Sequence, residues 1–217
     1  MSSRTPPATL PAKLYLLAWD PDRQRLSNRD NLGYLLRGAI LADLSLRGCV
    51  RDEDGNVRAS GTKRTGDRVL DDMLREIGAD RPRGWGAWVR RRAGATLVAV
   101  EDQLVAAGVV AVDVRRVLGL FPRRRATVTE PAALRASVRE VALGDRPVSS
   151  VSDADAALVA LVATADLRTV LSRRERKDNA ERVAACTERG GKAAPALHKV
   201  LRSVRAARAS AAAAASG

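Results

Sequence analysis

Residues 30–48 form the segment that most constrains the fold, because their leucine, isoleucine and alanine side chains fall on almost every side of a helical wheel. A helix that is apolar all round is stable only when other elements surround it, so the segment predicts a central helix. Asp30 is its expected N-cap and Gly48 its expected end. At about 1.5 Å per residue this helix is too short to cross a bilayer, and it carries Arg37 and Asp43.

Arg37 is the unusual residue of this segment. A guanidinium among apolar side chains needs a negative partner, since an unpaired buried charge is strongly unfavourable. The partner could be a carboxylate of the chain, such as Asp30 or Asp43, or it could be a bound anion. The sequence leaves both alternatives open.

The rest of the chain predicts a mainly α protein with a single core. Aromatic residues make up only 3% of the 217 residues, and the segments between glycine and proline breaks mostly have helical length. Two short segments read as β-hairpins. The first spans residues 49–57 with an Asp-Gly turn. The second pairs residues 109–112 with residues 117–121 around a turn at residues 113–116.

The second hairpin is rich in arginine and carries large apolar residues. We expect the apolar residues to contact a bilayer or a second copy of the chain, and the arginines to form a basic surface. The apolar residues are Leu118, Leu120 and Phe121, and the arginines are Arg115, Arg116, Arg123, Arg124 and Arg125.

The formal net charge of +13 predicts attraction to polyanions, meaning nucleic acid or an acidic membrane surface. The excess lies in two zones: residues 81–125 hold ten basic and three acidic side chains, and residues 168–217 hold twelve and four. Trp85 and Trp88 precede arginines in the first zone, where they could anchor the core or stack on bases or headgroups. An arginine-rich hairpin after a helix also fits a winged nucleic-acid-binding module that uses the basic C-terminal helices.

No catalytic constellation is recognisable, so we expect no enzymatic activity, no metal and no cofactor. His198 is the only histidine, and Cys49 and Cys186 are far apart in the sequence. Neither the P-loop motif G-x-x-x-x-G-K-[ST] nor the dinucleotide-binding motif G-x-G-x-x-G after a strand occurs. No apolar run is long enough for a membrane span, and the N-terminus lacks the apolar region of a signal peptide. We therefore expect a cytoplasmic protein with free cysteines, whose membrane contact is peripheral.

Several stretches occur in the order seen in one known family, and their resemblance covers most of the chain. The sequence resembles the GPP34 family, whose eukaryotic members are Golgi phosphoproteins that bind phosphatidylinositol 4-phosphate and help to retain glycosyltransferases. One stretch is especially similar to actinobacterial members, namely RVLGLFPR. The full set is LYLLAWDPD, LLRGAILADLSLRG, GDRVLDDMLREI, QLVAAGVV, RVLGLFPRRR and DADAALVALVATADLRTVL.

The resemblance implies a four-helix core wrapped by amphipathic helices, with a β-hairpin used in self-association. It implies a family-like domain, which we place at residues 10–208. The Ser/Pro-rich residues 1–9 predict a flexible N-terminus, and the low-complexity, Ala/Ser-rich residues 209–217 predict a disordered tail.

The family's lipid site carries over in part. The headgroup-binding arginine of the family matches Arg37, whereas the position of the flanking tryptophan holds Asn28. The two further arginine positions hold Gly94 and Leu97. The resemblance therefore implies a looser interaction with anionic lipid, to which nearby basic residues contribute.

We expect a non-catalytic peripheral membrane protein that recognises anionic or phosphoinositide-like headgroups. Arg37, Arg90 and Arg91 are its expected anion-binding residues, with Asn28 beside them. Expected partners are the anionic membrane surface, the cytoplasmic tails of membrane proteins and a second copy of the chain. Nucleic acid is the alternative partner.

Overall fold

The structure, a computed structural model, describes residues 9–61, 64–117, 121–128 and 131–215, and within them all side chains except those of residues 112–128 and 215. The described part is mainly helical, as the sequence predicts. Its helices are α1 (Leu10–Leu17), α2 (Arg29–Leu46), α3 (Arg68–Ala79), α4 (Trp85–Arg90), α5 (Ala93–Ala106), α6 (Ala132–Leu143), α7 (Asp153–Thr164), α8 (Arg173–Asp178), α9 (Ala180–Arg189) and α10 (Ala193–Ala215). Its strands are β1 (Trp19–Asp20), β2 (Arg25–Leu26), β3 (Val50–Glu53), β4 (Asn56–Ala59), β5 (Arg83–Gly84), β6 (Val110–Val117) and β7 (Phe121–Val128).

Helix α2 is the central helix that its apolar pattern predicts. It packs against α1, α4, α5, α7 and α10, and its leucines at positions 32, 35, 36, 41 and 44 are at most 1% exposed. Each such leucine contributes about 1.5–3 kcal/mol through burial, so this helix organises the core.

The two ends of α2 were predicted with different success. Gly48 follows the last turn at φ +66°, a conformation that favours glycine, and confirms the predicted end. The prediction of Asp30 as N-cap was wrong, because Asn28 occupies that position. The Asn28 side-chain amide donates to the carbonyl oxygen of Ala165 at 2.9 Å, and this tie to the end of α7 fixes where α2 begins.

The first predicted hairpin is confirmed, and the second differs in register. Strands β3 and β4 pair around the Asp54–Gly55 turn, and β5 adds a third strand. Strands β6 and β7 also pair, but the turn predicted at residues 113–116 was wrong. Those residues belong to β6, where Asp113 is opposite Arg125. Valines at alternate positions 110, 112 and 114 continue the two-residue period of a strand through the polar residues.

Parts of the second hairpin are not among the residues and side chains that the structure describes. Leu118 and Leu120 are not among the described residues. Phe121 begins β7, but its side chain is outside the description, as are those of the five hairpin arginines (Arg115, Arg116, Arg123, Arg124 and Arg125). The roles predicted for these residues stay predictions.

Both ends of the chain were expected to lack structure. Residues 1–8 lie outside the description, while α10 continues through residues 209–215, where a disordered tail was expected. Alanine has the highest helix propensity of all residues, which explains this continuation.

Both cysteines are buried and free. Within the described ranges, no helix combines the length and the apolar character that a bilayer crossing requires.

Gly33 permits the close crossing of α2 and α5, and its replacement tests this packing. A Cβ atom at Gly33 would lie 2.3 Å from the backbone oxygen of Ala93, so Gly33→Ala should force the helices apart. We expect a loss of roughly 2 kcal/mol or more in unfolding free energy, measured by urea denaturation. The matched control is Gly94→Ala, which meets nothing within 4 Å and should be neutral or stabilising. Equal stability of the two variants would contradict this packing.

Candidate functional site

The Arg37 side chain is buried within the core, with only 2% of its surface exposed. Its Nε donates to the Trp88 carbonyl oxygen at 3.0 Å, and its Nη1 donates to Glu76 Oε2 at 3.2 Å. A carboxylate of the chain therefore supplies the counter-charge, which is one of the two alternatives that the sequence left open, but the examples Asp30 and Asp43 were wrong. Asp43 instead accepts hydrogen bonds from the backbone N–H of Leu10, at the start of α1, and from Nε of Arg47, just after the end of its own helix.

Glu76 joins two arginines. Its Oε1 lies 3.3 Å from Arg92 Nη1, while its Oε2 accepts from Arg37, so one carboxylate sits between two guanidinium groups. Arg37 Nη2 is buried and has no hydrogen-bond partner among the described residues. Burial lowers the pKa of Arg37 from its ordinary value, Glu76 opposes this shift, and Arg91 and Arg92 add to it. The site therefore holds an excess of positive charge and one unused donor.

Glu76 and Arg92 are the residues of this site that the sequence prediction missed. Glu76 follows Val69 by seven positions and Met73 by three, so all three lie on one side of α3. Val69 and Met73 are buried. A carboxylate beside an apolar face is the available signal that Glu76 approaches a buried cation, although the sequence does not indicate which one.

Arg37 lines only a small depression. The depression has a volume of about 80 Å³ and is shared with Glu76, Arg92 and Thr96. Sites for small molecules usually measure about 300–1,000 Å³, so this space is too small for a lipid headgroup. A larger anion reaches Arg37 only if Glu76 moves away.

Three consecutive arginines, from the last residue of α4 to the residue before α5, are exposed; we call them the arginine cluster (Arg90, Arg91 and Arg92). Arg90 has no partner within the described part of the chain. Arg91 pairs with Asp80 at 3.0 Å and lies over the Trp88 ring, 5.7 Å from its centroid. The Arg92 side chain is 62% exposed, although it also pairs with Glu76.

Helix α5 presents an exposed stripe that is almost wholly apolar. Val98 is 46% exposed and Val105 is 38% exposed. A surface helix ordinarily carries charged residues on such a face, yet here Asp102 is its only charged residue. We call the apolar residues of this stripe, which surround Asp102, the apolar face of α5: Ala95, Val98, Ala99, Val105 and Ala106.

The structure brings some of the other predicted residues to this region and leaves others apart. Trp85 and Trp88 lie in the core, which favours the anchoring alternative over stacking. Gly94 is exposed near the start of α5, and Leu97 is half-buried. Asn28 does not line the depression at Arg37, and its amide is engaged with Ala165. Among the described residues, no group of three or more potential metal ligands comes together.

These features define a mainly helical protein built around a buried arginine that pairs with a partly buried glutamate, with exposed arginines beside it. The chain belongs to the GPP34 family, because the family described as Golgi phosphoprotein 3 (GPP34) matches residues 10–204. No curated protein gives a significant match. The family match confirms the resemblance that the sequence motifs indicate.

Removing Glu76 should destabilise the fold, because Arg37 would remain buried without its counter-charge. We expect Glu76→Met to lower the unfolding free energy by roughly 2–4 kcal/mol. The double variant Arg37→Met with Glu76→Met should recover most of this loss, since no buried charge is left unpaired. Urea denaturation of the two single variants and the double variant measures the coupling. Additive losses would show that the two side chains do not depend on each other.

Proposed function

We propose that this chain is a non-catalytic, peripheral membrane-binding protein that recognises anionic lipid surfaces. The observation that carries the proposal is the position of the arginine cluster, directly before the apolar face of α5. Exposed cations beside exposed apolar side chains match the two layers of a bilayer surface, where anionic headgroups lie above hydrocarbon.

The strength of this interaction follows from its charge. Each arginine near an acidic bilayer contributes about 1 kcal/mol, so the arginine cluster contributes at most about 3 kcal/mol before any apolar contact, because two of its three members are already ion-paired. Such binding is weak and reversible, and it decreases with salt because exposed charges are screened. The apolar face of α5 adds burial against acyl chains at about 25 cal/mol per Å².

Arg37 supports this surface from within. Its Nε hydrogen bond to the Trp88 carbonyl ties α2 to α4, and its pairing with Glu76 holds α3 against the same region. Because the Arg37 guanidinium is already paired with Glu76, the proposal rests on the arginine cluster and not on direct headgroup contact by Arg37. General recognition of negative charge is therefore favoured over selectivity for one phosphoinositide.

The family description refers to the Golgi, and the resemblance adds two further roles, an adaptor for membrane-protein tails and self-association through the β6–β7 hairpin. Both stay predictions, since the end of that hairpin lies outside the described residues. Nucleic acid binding by the hairpin and the C-terminal helices stays the alternative.

Sedimentation with vesicles tests the proposal. We expect the protein to bind vesicles of phosphatidylcholine and phosphatidylserine at low salt and not pure phosphatidylcholine vesicles. Arg90→Ala should weaken binding about fivefold, as expected for one cation. The matched control is Arg146→Ala, which removes an exposed arginine outside the cluster and should have a smaller effect.

The contribution of the apolar face is tested at Val98. Val98→Asp should weaken binding about tenfold, because it replaces apolar contact with repulsion from anionic lipid. Val98→Leu keeps the apolar character and should bind at least as well as the parent. Equal binding to neutral and anionic vesicles, with no effect of either variant, would refute the proposal. Salt-sensitive binding of duplex DNA without vesicle binding would favour the alternative.

A further inference from the structure

A groove lies between α9 and α10, which are joined by the short turn at residues 190–192. Both helices pack against α7, but α9 also packs against α6 and α8, whereas α10 also packs against α2 and α4. Because these other contacts lie on different elements, a space remains between the two helices at the end of α7. The space has a volume of about 520 Å³ and is open to solvent. It shares no residue with the arginine cluster or with the apolar face of α5.

Helix α9 forms one wall of this groove with small side chains. Ala180, Val183, Ala184 and Thr187 line the groove, and their spacing of three and four positions places them on one face of the helix. Ala180 and Ala184 are exposed, and Val183 and Thr187 are half-buried. Small side chains let another helix approach closely, and the apolar ones gain free energy when they are covered.

The opposite wall and one end of the groove are basic. His198 and Arg205 are seven positions apart on α10, so they lie on the same face of that helix, and Arg173 comes from α8. All three side chains belong to exposed residues, and none has a partner within the described part of the chain. These side chains can therefore pair with carboxylates from outside.

The remaining charged residues of the groove are already engaged. Arg176 donates through Nη1 to the Ala163 carbonyl oxygen at 2.9 Å and through Nη2 to Asp166, which also pairs with Arg168. Asp166 is the only acidic residue that lines the groove. The charge that is left for a partner is therefore positive.

The groove is suited to one class of polyanion better than to others. No aromatic side chain lines it, and nucleobases usually stack on aromatic rings or guanidinium planes. A flat bilayer does not enter a space between two helices, and a small anion would leave the wall of α9 uncovered. A partner that carries both carboxylates and apolar side chains meets both walls at once.

We propose that this groove binds an acidic, amphipathic helix of a partner protein. The apolar side chains of that helix pack on the small residues of α9, while its carboxylates pair with Arg173, His198 and Arg205. Amphipathic helices recurrently bind in grooves of this kind, and charge complementarity fixes which partner is accepted. The proposal does not depend on the membrane function, because the two surfaces share no residue.

A synthetic peptide tests the groove. The probe is a peptide of about ten residues, the length of α9, with leucines three and four positions apart and glutamates at the other positions. Fluorescence anisotropy should show saturable binding of the labelled peptide to the full chain, and salt should weaken it because exposed charges are screened. The same peptide with lysine in place of every glutamate should not bind.

Two double variants test the basic residues. Arg173→Ala together with Arg205→Ala should weaken binding of the glutamate peptide about tenfold, because each removes one exposed ion pair and the two pairs are independent. The matched control is Arg174→Ala together with Arg202→Ala. It removes exposed arginines from the same two helices that do not line the groove, and it should change the affinity less than twofold.

Two further variants separate the apolar wall and the membrane surface. Ala184→Asp places a carboxylate on the exposed wall of α9 and should abolish binding of the glutamate peptide, whereas Ala207→Asp, exposed on α10 outside the groove, should bind like the parent. Arg90→Ala should bind the peptide like the parent, although it weakens binding to anionic vesicles.

Three results would overturn the proposal. In the first, the glutamate peptide does not bind saturably, or the lysine peptide binds as tightly. In the second, the control double variant weakens binding as much as the double variant that lines the groove. In the third, single-stranded RNA binds in place of the peptide and is lost in the double variant that lines the groove, which would assign the groove to nucleic acid.

Discussion

The fold depends on how it accommodates one positive charge inside a helix that is apolar on every side. Arg37 is almost fully buried on α2, where an unpaired guanidinium would cost several kcal/mol. Glu76 from α3 and the Trp88 carbonyl from α4 accept hydrogen bonds from this guanidinium. Two elements are thereby fixed against the central helix at one point, and the positions of α4 and of the following α5 depend on that contact.

Glu76 also connects the buried arginine to the exposed ones. Glu76 binds Arg37 on one oxygen and Arg92 on the other, so the carboxylate links the buried charge to the arginine cluster at the surface. Arg90 has no partner in the described part of the chain, and Arg92 is largely exposed. These arginines remain available to external anions. The buried Arg37 holds Glu76 in place, and Glu76 in turn holds Arg92 at the surface.

Local patterns allowed the prediction of much of the fold. The all-round apolar pattern predicted α2, the Asp-Gly turn predicted the first hairpin, and the motifs predicted the family. The pairing of Arg37 with Glu76 could not be predicted, because the two residues are separated by 39 positions and nothing local specifies which carboxylate approaches. The turn of the second hairpin was misplaced because polar residues within β6 resembled a turn.

The most direct measurement of the central claim is the environment of a spin label at residue 98 on the apolar face of α5. Cys49 and Cys186 are buried, so Val98→Cys offers one accessible thiol for a nitroxide label. On anionic vesicles the label should become more accessible to oxygen and less accessible to a water-soluble nickel reagent, while a label at His198→Cys should not change. A label at residue 98 that stays fully in water while the protein is bound to vesicles would contradict the claim that this face meets the membrane.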